Sequence, residues 1–216
     1  MHKLDRASAP APACLGNYRH GANTWDDVSA ADKAEIRGSL QVMQGPRCAY
    51  CEASVDDMGY HIEHFRRKRD YPPLTFDWWN LLLCCGKDDC CGHHKDRGGS
   101  PYDINDLIDP TNEEPDQFFW FRESGLIGVK SGCDAAKARR ASETLRVLHL
   151  NHRHGRLRQM RARQLQWYKD MNPDVFTELM DLPEPERREY VQGELTATAS
   201  QPFCTIIRHF LQDLAR

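Results

Sequence analysis

Cys48 and Cys51 stand with two residues between them, a spacing that lets one tight turn present two thiolates to a tetrahedral ion. More thiols follow in the doublets Cys84-Cys85 and Cys90-Cys91. One residue from each doublet would complete a four-thiolate zinc site. Cys85 and Cys91 are the preferred pair, because they leave a short loop between them and sit beside the other reactive residues; Cys84 and Cys90 stay open. Between the cysteine groups lie Glu63 and His64, in the run HIEHF, and then Asn80; His93 and His94 follow the last cysteine. Hydrolysis of a phosphodiester asks for a base to activate water and a cation to stabilise charge on phosphorus and the leaving oxygen. It also asks for a group that keeps the base in its productive tautomer. An acid, an imidazole, an amide and a second imidazole give one candidate for each role.

These residues need elements to hold them. From Gly45 to Gly99 the chain has only short apolar runs punctuated by Gly and Pro, too little to fold on burial alone. A structural zinc, worth on the order of 10–16 kcal/mol in small peptides, offsets a thin core. Ahead of this segment, residues 1–45 read as a helical arm: after a Pro/Ala-rich entry, Ser29 can cap a helix with Ile36, Leu40 and Met43 on one face. Behind it, residues 100–132 read as a polar linker with Asp-Pro and Glu-Pro turns, then a β-hairpin in FFWFRESGLIGV around a Ser-Gly turn. Residues 133–216 read as helical, with Leu145, Leu148, Leu157 and Met160 at helical spacings, a break near Gly155, one helix from about Pro173 and another over FCTIIRHFLQDLAR. Phe203, Ile206, Ile207, Phe210 and Leu211 form an apolar stripe there, either core packing or, with the arm at residues 15–45, a docking face.

The formal charge of -3 over 216 residues excludes a globally basic nucleic-acid coat, so a polyanion would have to meet a local patch. One candidate is the tract from Lys137 to Lys169, with ten Lys and Arg residues against the single acid Glu143; Arg66, Arg67, Lys68 and Arg69 extend it past His64. No run reaches the roughly 18 consecutive apolar residues of a membrane span, and the N-terminus lacks the apolar centre of a signal peptide. The expected location is cytoplasmic, where clustered cysteines favour a metal over disulfides. Cys14, Cys133 and Cys204, outside the cluster, are read as packing residues.

The sequence CAYCE, then HIEHFRRK, WWNLLLCC and CCGHHKD, resembles the HNH endonuclease superfamily, and is most similar to the PtuB-like HNH subunit of Septu-type and retron-associated antiviral systems. RASAP, Trp25, LIDPTNEEP and LRVLHLN extend the likeness beyond the core. The resemblance implies an α+β, mainly α fold: a small zinc-stabilised ββα-metal core over residues 46–99 with a helical arm, a hairpin and C-terminal helices. It implies His64 as general base, Glu63 as acidic metal ligand, Asn80 as the residue orienting the base, and His94, ahead of His93, as closing ligand. Structural Zn²⁺ would sit on Cys48, Cys51, Cys85 and Cys91, and catalytic Mg²⁺ or Mn²⁺ on Glu63 and His94. The implied role is effector nuclease of an antiphage defence complex acting on DNA, tRNA or other RNA. Its implied partners are an ABC/SMC-like (PtuA-like) ATPase and, in retron versions, a reverse transcriptase with its msDNA. Two departures stand out: Arg67 replaces a Pro common in relatives, and Gly92 follows the last zinc cysteine where HNH sites often carry the final ligand. A zinc-stabilised module without chemistry and a stand-alone restriction-type nuclease are the alternatives.

Overall fold

The computed structural model describes residues 1–97, 101–152 and 155–215, with the side chains of residues 176, 178 and 180 outside the description. Arg153 of the basic tract, residues 98–99 at the end of the expected core and residue 100 of the linker lie outside it too. The first long helix, α1 (Ala30–Gln44), starts where Ser29 accepts a hydrogen bond from the Asp32 amide at 3.0 Å. It buries the face carrying Ile36, Leu40 and Met43, as the periodicity predicts, and stops at Gly45, whose φ of 71° favours a residue without Cβ. A short loop with Cys48 and Cys51 leads through a single turn, α2 (Val55–Met58), into β1 (Tyr60–His64).

Strand β1 pairs antiparallel with β2 (Leu81–Cys85), in a register that sets Glu63 opposite Leu82 and His64 opposite Leu81. All five residues of β2 are buried, so its outer edge must find partners inside the protein. Gln44 supplies them: its side-chain amide donates to the Leu83 carbonyl at 2.8 Å and accepts from the Leu83 amide at 3.2 Å. Helix α3 (Cys91–Arg97) follows, so that a hairpin and a helix succeed each other within residues 60–97.

The predicted second hairpin is present as β3 (Phe119–Phe121) and β4 (Ile127–Val129). Its turn contains Gly125, at φ 77°, where any Cβ would collide with the Arg158 carbonyl of a later helix. Five α-helices follow among the described residues: α4 (Ala135–Val147), α5 (Arg156–Met171), α6 (Val175–Asp181), α7 (Glu184–Thr198) and α8 (Cys204–Leu214). The break at Gly155 is where the sequence puts it. The single helix expected from Pro173 is instead two, because Pro183 has no N–H to continue α6 and stands at the N-terminus of α7. The result is mixed α+β, mostly helical, with two small antiparallel sheets.

Buried residues from Met1 to Leu211 share one hydrophobic core. The stripe on α8 belongs to it: Phe203, Ile206, Ile207, Phe210 and Leu211 are all buried, which settles packing over docking for those side chains. Arg161 is a second correction. Counted in the basic tract, it is fully buried and donates to the Gly125 carbonyl at 2.7 Å and the Leu150 carbonyl at 2.8 Å. It is an internal brace between α5 and the second hairpin. No helix among the described residues is long and apolar enough to cross a membrane.

Candidate active site

Three elements deliver the thiols. Cys48 and Cys51 come from the loop after α1, Cys85 ends β2 and Cys91 begins α3. All four are buried, with their sulfurs within 4.8 Å of one another, a set that could hold a metal ion. Burial opposes ionisation of Cys48, yet thiol hydrogen bonds from Cys51, Cys84, Cys85 and Cys91 hold it well below its ordinary range. Cys90 lies beside the group, 3.8 Å from Cys85.

Glu63 is buried where β1 meets α3. Its Oε1 accepts from Lys95 at 2.8 Å and from the Tyr50 hydroxyl at 3.2 Å, while Oε2 lies 3.2 Å from His61 Nε2. Burial alone would raise its pKa, but the Lys95 ammonium, with help from His61, pulls it down to about 2. Lys95, itself buried, also donates to the His64 carbonyl at 2.8 Å and the Phe65 carbonyl at 3.2 Å. One ammonium thus ties α3 to both ends of the Glu63-His64 step.

The His64 ring faces a different set of partners. Its Nε2 lies 3.0 Å from the Thr75 carbonyl; a carbonyl can only accept, so the proton is on Nε2 and the lone pair on Nδ1. Burial lowers its pKa to about 4, which keeps the ring neutral near pH 7. Trp25 from the arm packs edge-on against it at 4.6 Å. Trp25 and Thr75 also line a cavity of about 460 Å³, with His20, Asn23, Lys68 and Arg69. No described hydrogen bond joins the Glu63 carboxylate to the His64 ring; Lys95 bridges the carboxylate to the His64 carbonyl.

Asn80 acts at one remove. Its Oδ1 accepts from the Arg66 amide at 2.7 Å, and its Nδ2 donates to the Arg66 carbonyl at 2.9 Å and the Leu74 carbonyl at 3.1 Å. It fastens both ends of the loop that carries Thr75 to His64. His94 is not brought to this group: its Nδ1 donates to the Val147 carbonyl at 2.9 Å and its ring stacks on His149. His93 stacks instead on His61, with ring centres 3.9 Å apart.

No family model matches the chain. It is 31% identical over 135 residues to a Septu protein PtuB of Bacillus thuringiensis, covering 62% of this chain and 45% of that one. A Septu protein PtuB of Bacillus mycoides is 26% identical over 146 residues, 55% of this chain and 47% of its own. A Vibrio cholerae protein of retron Vc95, named as a candidate HNH endonuclease, is 29% identical over 159 residues, 66% and 74% of the two lengths. The chain is similar to proteins named for Septu and retron defence systems. It spans about half the length of the two PtuB proteins it matches.

Lys95, His61 and Thr75 also belong to the site, and the sequence pattern does not single them out. Lys95 had a signal: it follows Cys91 by four residues, one helical turn, so the helix that brings Cys91 to the thiols brings Lys95 to the hairpin. Thr75 had none, since it acts through its backbone.

Proposed function

We propose that the chain is a metal-dependent nuclease of the HNH type, with β1, β2 and α3 as its ββα-metal unit. The state of His64 carries this reading: a buried, neutral imidazole whose Nε2–H is engaged by the Thr75 carbonyl, which leaves the lone pair on Nδ1. So held, the ring can take a proton from water attacking a phosphodiester. Lys68 and Arg69, which line the neighbouring cavity, would meet the flanking phosphates. Glu63, kept ionised in a buried site, is the acidic ligand for Mg²⁺ or Mn²⁺. A divalent cation bound there supplies Lewis acidity toward the scissile phosphate and the departing oxygen. Asn80 holds the Thr75 segment and so the tautomer of the base. The four clustered thiols fit Zn²⁺ by donor type and number. The products would carry a 3′-hydroxyl and a 5′-phosphate.

The names of the relatives support a place in a Septu- or retron-type system. There the chain would be the effector subunit of an antiphage defence complex, working with an ABC/SMC-like ATPase and, in a retron setting, a reverse transcriptase and its msDNA. A zinc-stabilised module without chemistry is the rival, and one observation favours it: Lys95 already neutralises Glu63.

Incubating the chain, alone and with its ATPase, with DNA and with total RNA in Mg²⁺ or Mn²⁺ tests both. The expected result is cleavage that EDTA abolishes and that His64→Ala slows by about 10²–10⁴-fold with the fold intact. Unchanged cleavage in that variant would remove His64 from the mechanism. No cleavage with either nucleic acid, with or without the ATPase, would leave the non-catalytic module standing.

A further inference from the structure

Glu63 divides its two oxygens between different tasks. Oε1 is taken by Lys95 and Tyr50, while Oε2 faces His61 Nε2 at 3.2 Å. On the far side of the His61 ring, Nδ1 lies 3.0 Å from the Cys85 carbonyl. Because that oxygen can only accept, Nδ1 carries a hydrogen, and Nε2 is the nitrogen turned to the carboxylate, to which it donates while no cation stands between them. An Nδ1–H anchored on a backbone carbonyl is the arrangement by which proteins aim an imidazole Nε2 at a metal. The anchor is the backbone of Cys85, itself one of the clustered thiols, so the ring's aim is set by the same structure that gathers the cysteines.

Helix α3 leaves room at this point. A Cβ on Gly92 would run into the Glu63 carboxylate and come within 2.7 Å of His61 Nε2. The carboxylate has little freedom to yield, being held by Lys95, Tyr50 and His61 together. No side chain at Gly92 can therefore close the site, and the nitrogen enters from strand β1 instead. His93 lies flat on His61, the rings 27° from parallel, and fixes its plane, while His94 is turned to Val147 and His149.

We propose that His61, together with Glu63, holds the catalytic divalent cation, with His93 as its stacking support and His94 outside the site. The assignment rests on the nuclease reading above and replaces the His94 ligand that the family resemblance implies. A nitrogen and a single carboxylate oxygen suit Mn²⁺ better than Mg²⁺, which prefers oxygen throughout.

The test is Mn²⁺ titration by calorimetry of the full-length, zinc-loaded chain carrying His64→Ala, so that binding is read without turnover. Adding His61→Ala should weaken Mn²⁺ by at least about tenfold, the low end of what support residues around a metal cost. Adding His94→Ala should leave it unchanged. Circular dichroism and zinc content of each variant separate lost ligation from lost fold, and His61→Asp, which restores a ligand atom, should recover part of the affinity. Equal affinity in the His61→Ala variant, or a loss confined to His94→Ala, would overturn the assignment. Cleavage assays on the same substitutions with His64 restored keep the two readings apart. Cleavage that survives His61→Ala alongside unchanged Mn²⁺ affinity spares the nuclease and sinks the ligand; His61-dependent binding without cleavage of any nucleic acid does the reverse.

Discussion

Asn80 bears on the base only through backbone. Its amide satisfies the Arg66 amide, the Arg66 carbonyl and the Leu74 carbonyl, and the loop so fixed brings the Thr75 carbonyl to His64. Asn80→Ala would leave these groups unpaired in a buried setting, at a cost of about 1–3 kcal/mol for an unsatisfied group. Asn80→Asp keeps the acceptor for Arg66 and loses both donations. Both substitutions should lower the unfolding temperature. Both should also reduce kcat with little change in KM, since Asn80 touches none of the cations lining the cavity. Steady-state cleavage kinetics decide it: a variant that melts lower yet turns over normally would make Asn80 a structural residue only. The amide was legible in the sequence as a member of the set, but its route to His64 was not, because that route passes through a carbonyl every residue has.

Among the elements, the cysteine cluster is a hub. It joins the loop after α1 to β2 and α3, and the residue next to Cys51 carries the linkage further. Glu52 accepts from the Thr205 amide at 3.1 Å and the Thr205 hydroxyl at 2.5 Å, and its carbonyl accepts from the Phe203 amide at 3.1 Å, at the start of α8. One tightly held zinc per chain should survive dialysis. The double variant Cys48→Ser, Cys51→Ser should lose it, melt at lower temperature and expose the apolar stripe of α8 to a hydrophobic dye, since ligand loss removes folding free energy. Cys84→Ser and Cys90→Ser should each keep the metal. A metal-free chain with wild-type melting would sink the hub. The elements themselves were largely readable: the Ser29 cap, the Gly155 break and the second hairpin follow from local chemistry. Pro183 is equally legible as a stop signal, and it divides the stretch past Pro173 that apolar spacing alone leaves continuous.

Across the assembled protein, the basic tract changes meaning once its neighbours are in place. Arg139 pairs with Asp106, Arg140 with Glu113, Arg146 with Glu143, Arg156 with Asp89 and Lys169 with Glu123. Half of its ten cations are thus ion-paired among the described residues, four of them to segments outside the tract, and Arg161 is the buried brace described above. Lys68, by contrast, forms no ion pair among the described residues, and with Arg69 it lines the cavity beside Trp25 and Thr75. Lys68→Glu with Arg69→Glu should therefore weaken nucleic-acid binding. Its salt dependence should fall by about one unit of slope for each phosphate that the protein no longer neutralises. Arg156→Glu with Arg163→Glu should do less. Anisotropy titrations over a salt series rank the two pairs, and the opposite ranking would return phosphate binding to α5.

The inventory of the site and its order follow from the amino-acid chain alone: two cysteine groups around an acid-histidine step and an asparagine. Those features are local, set by turn chemistry and ligand spacing, and they bring out Cys48 and Cys51 and favour Cys85 and Cys91, with Cys84 and Cys90 left open until the fold gathers the four sulfurs. Which neighbours each side chain meets came only with the packed fold. His94 and His93 are adjacent in sequence, but a helix points them about 100° apart, and only packing against Val147 and His149 shows which one turns away. Arg161 looks like its basic neighbours until the second hairpin closes over it, and Lys95 becomes the link between Glu63 and His64 only when α3 docks. Charge and histidine are easy to place on a surface and costly to bury unpaired, so their roles depend on partners far away in the chain, which no local pattern records.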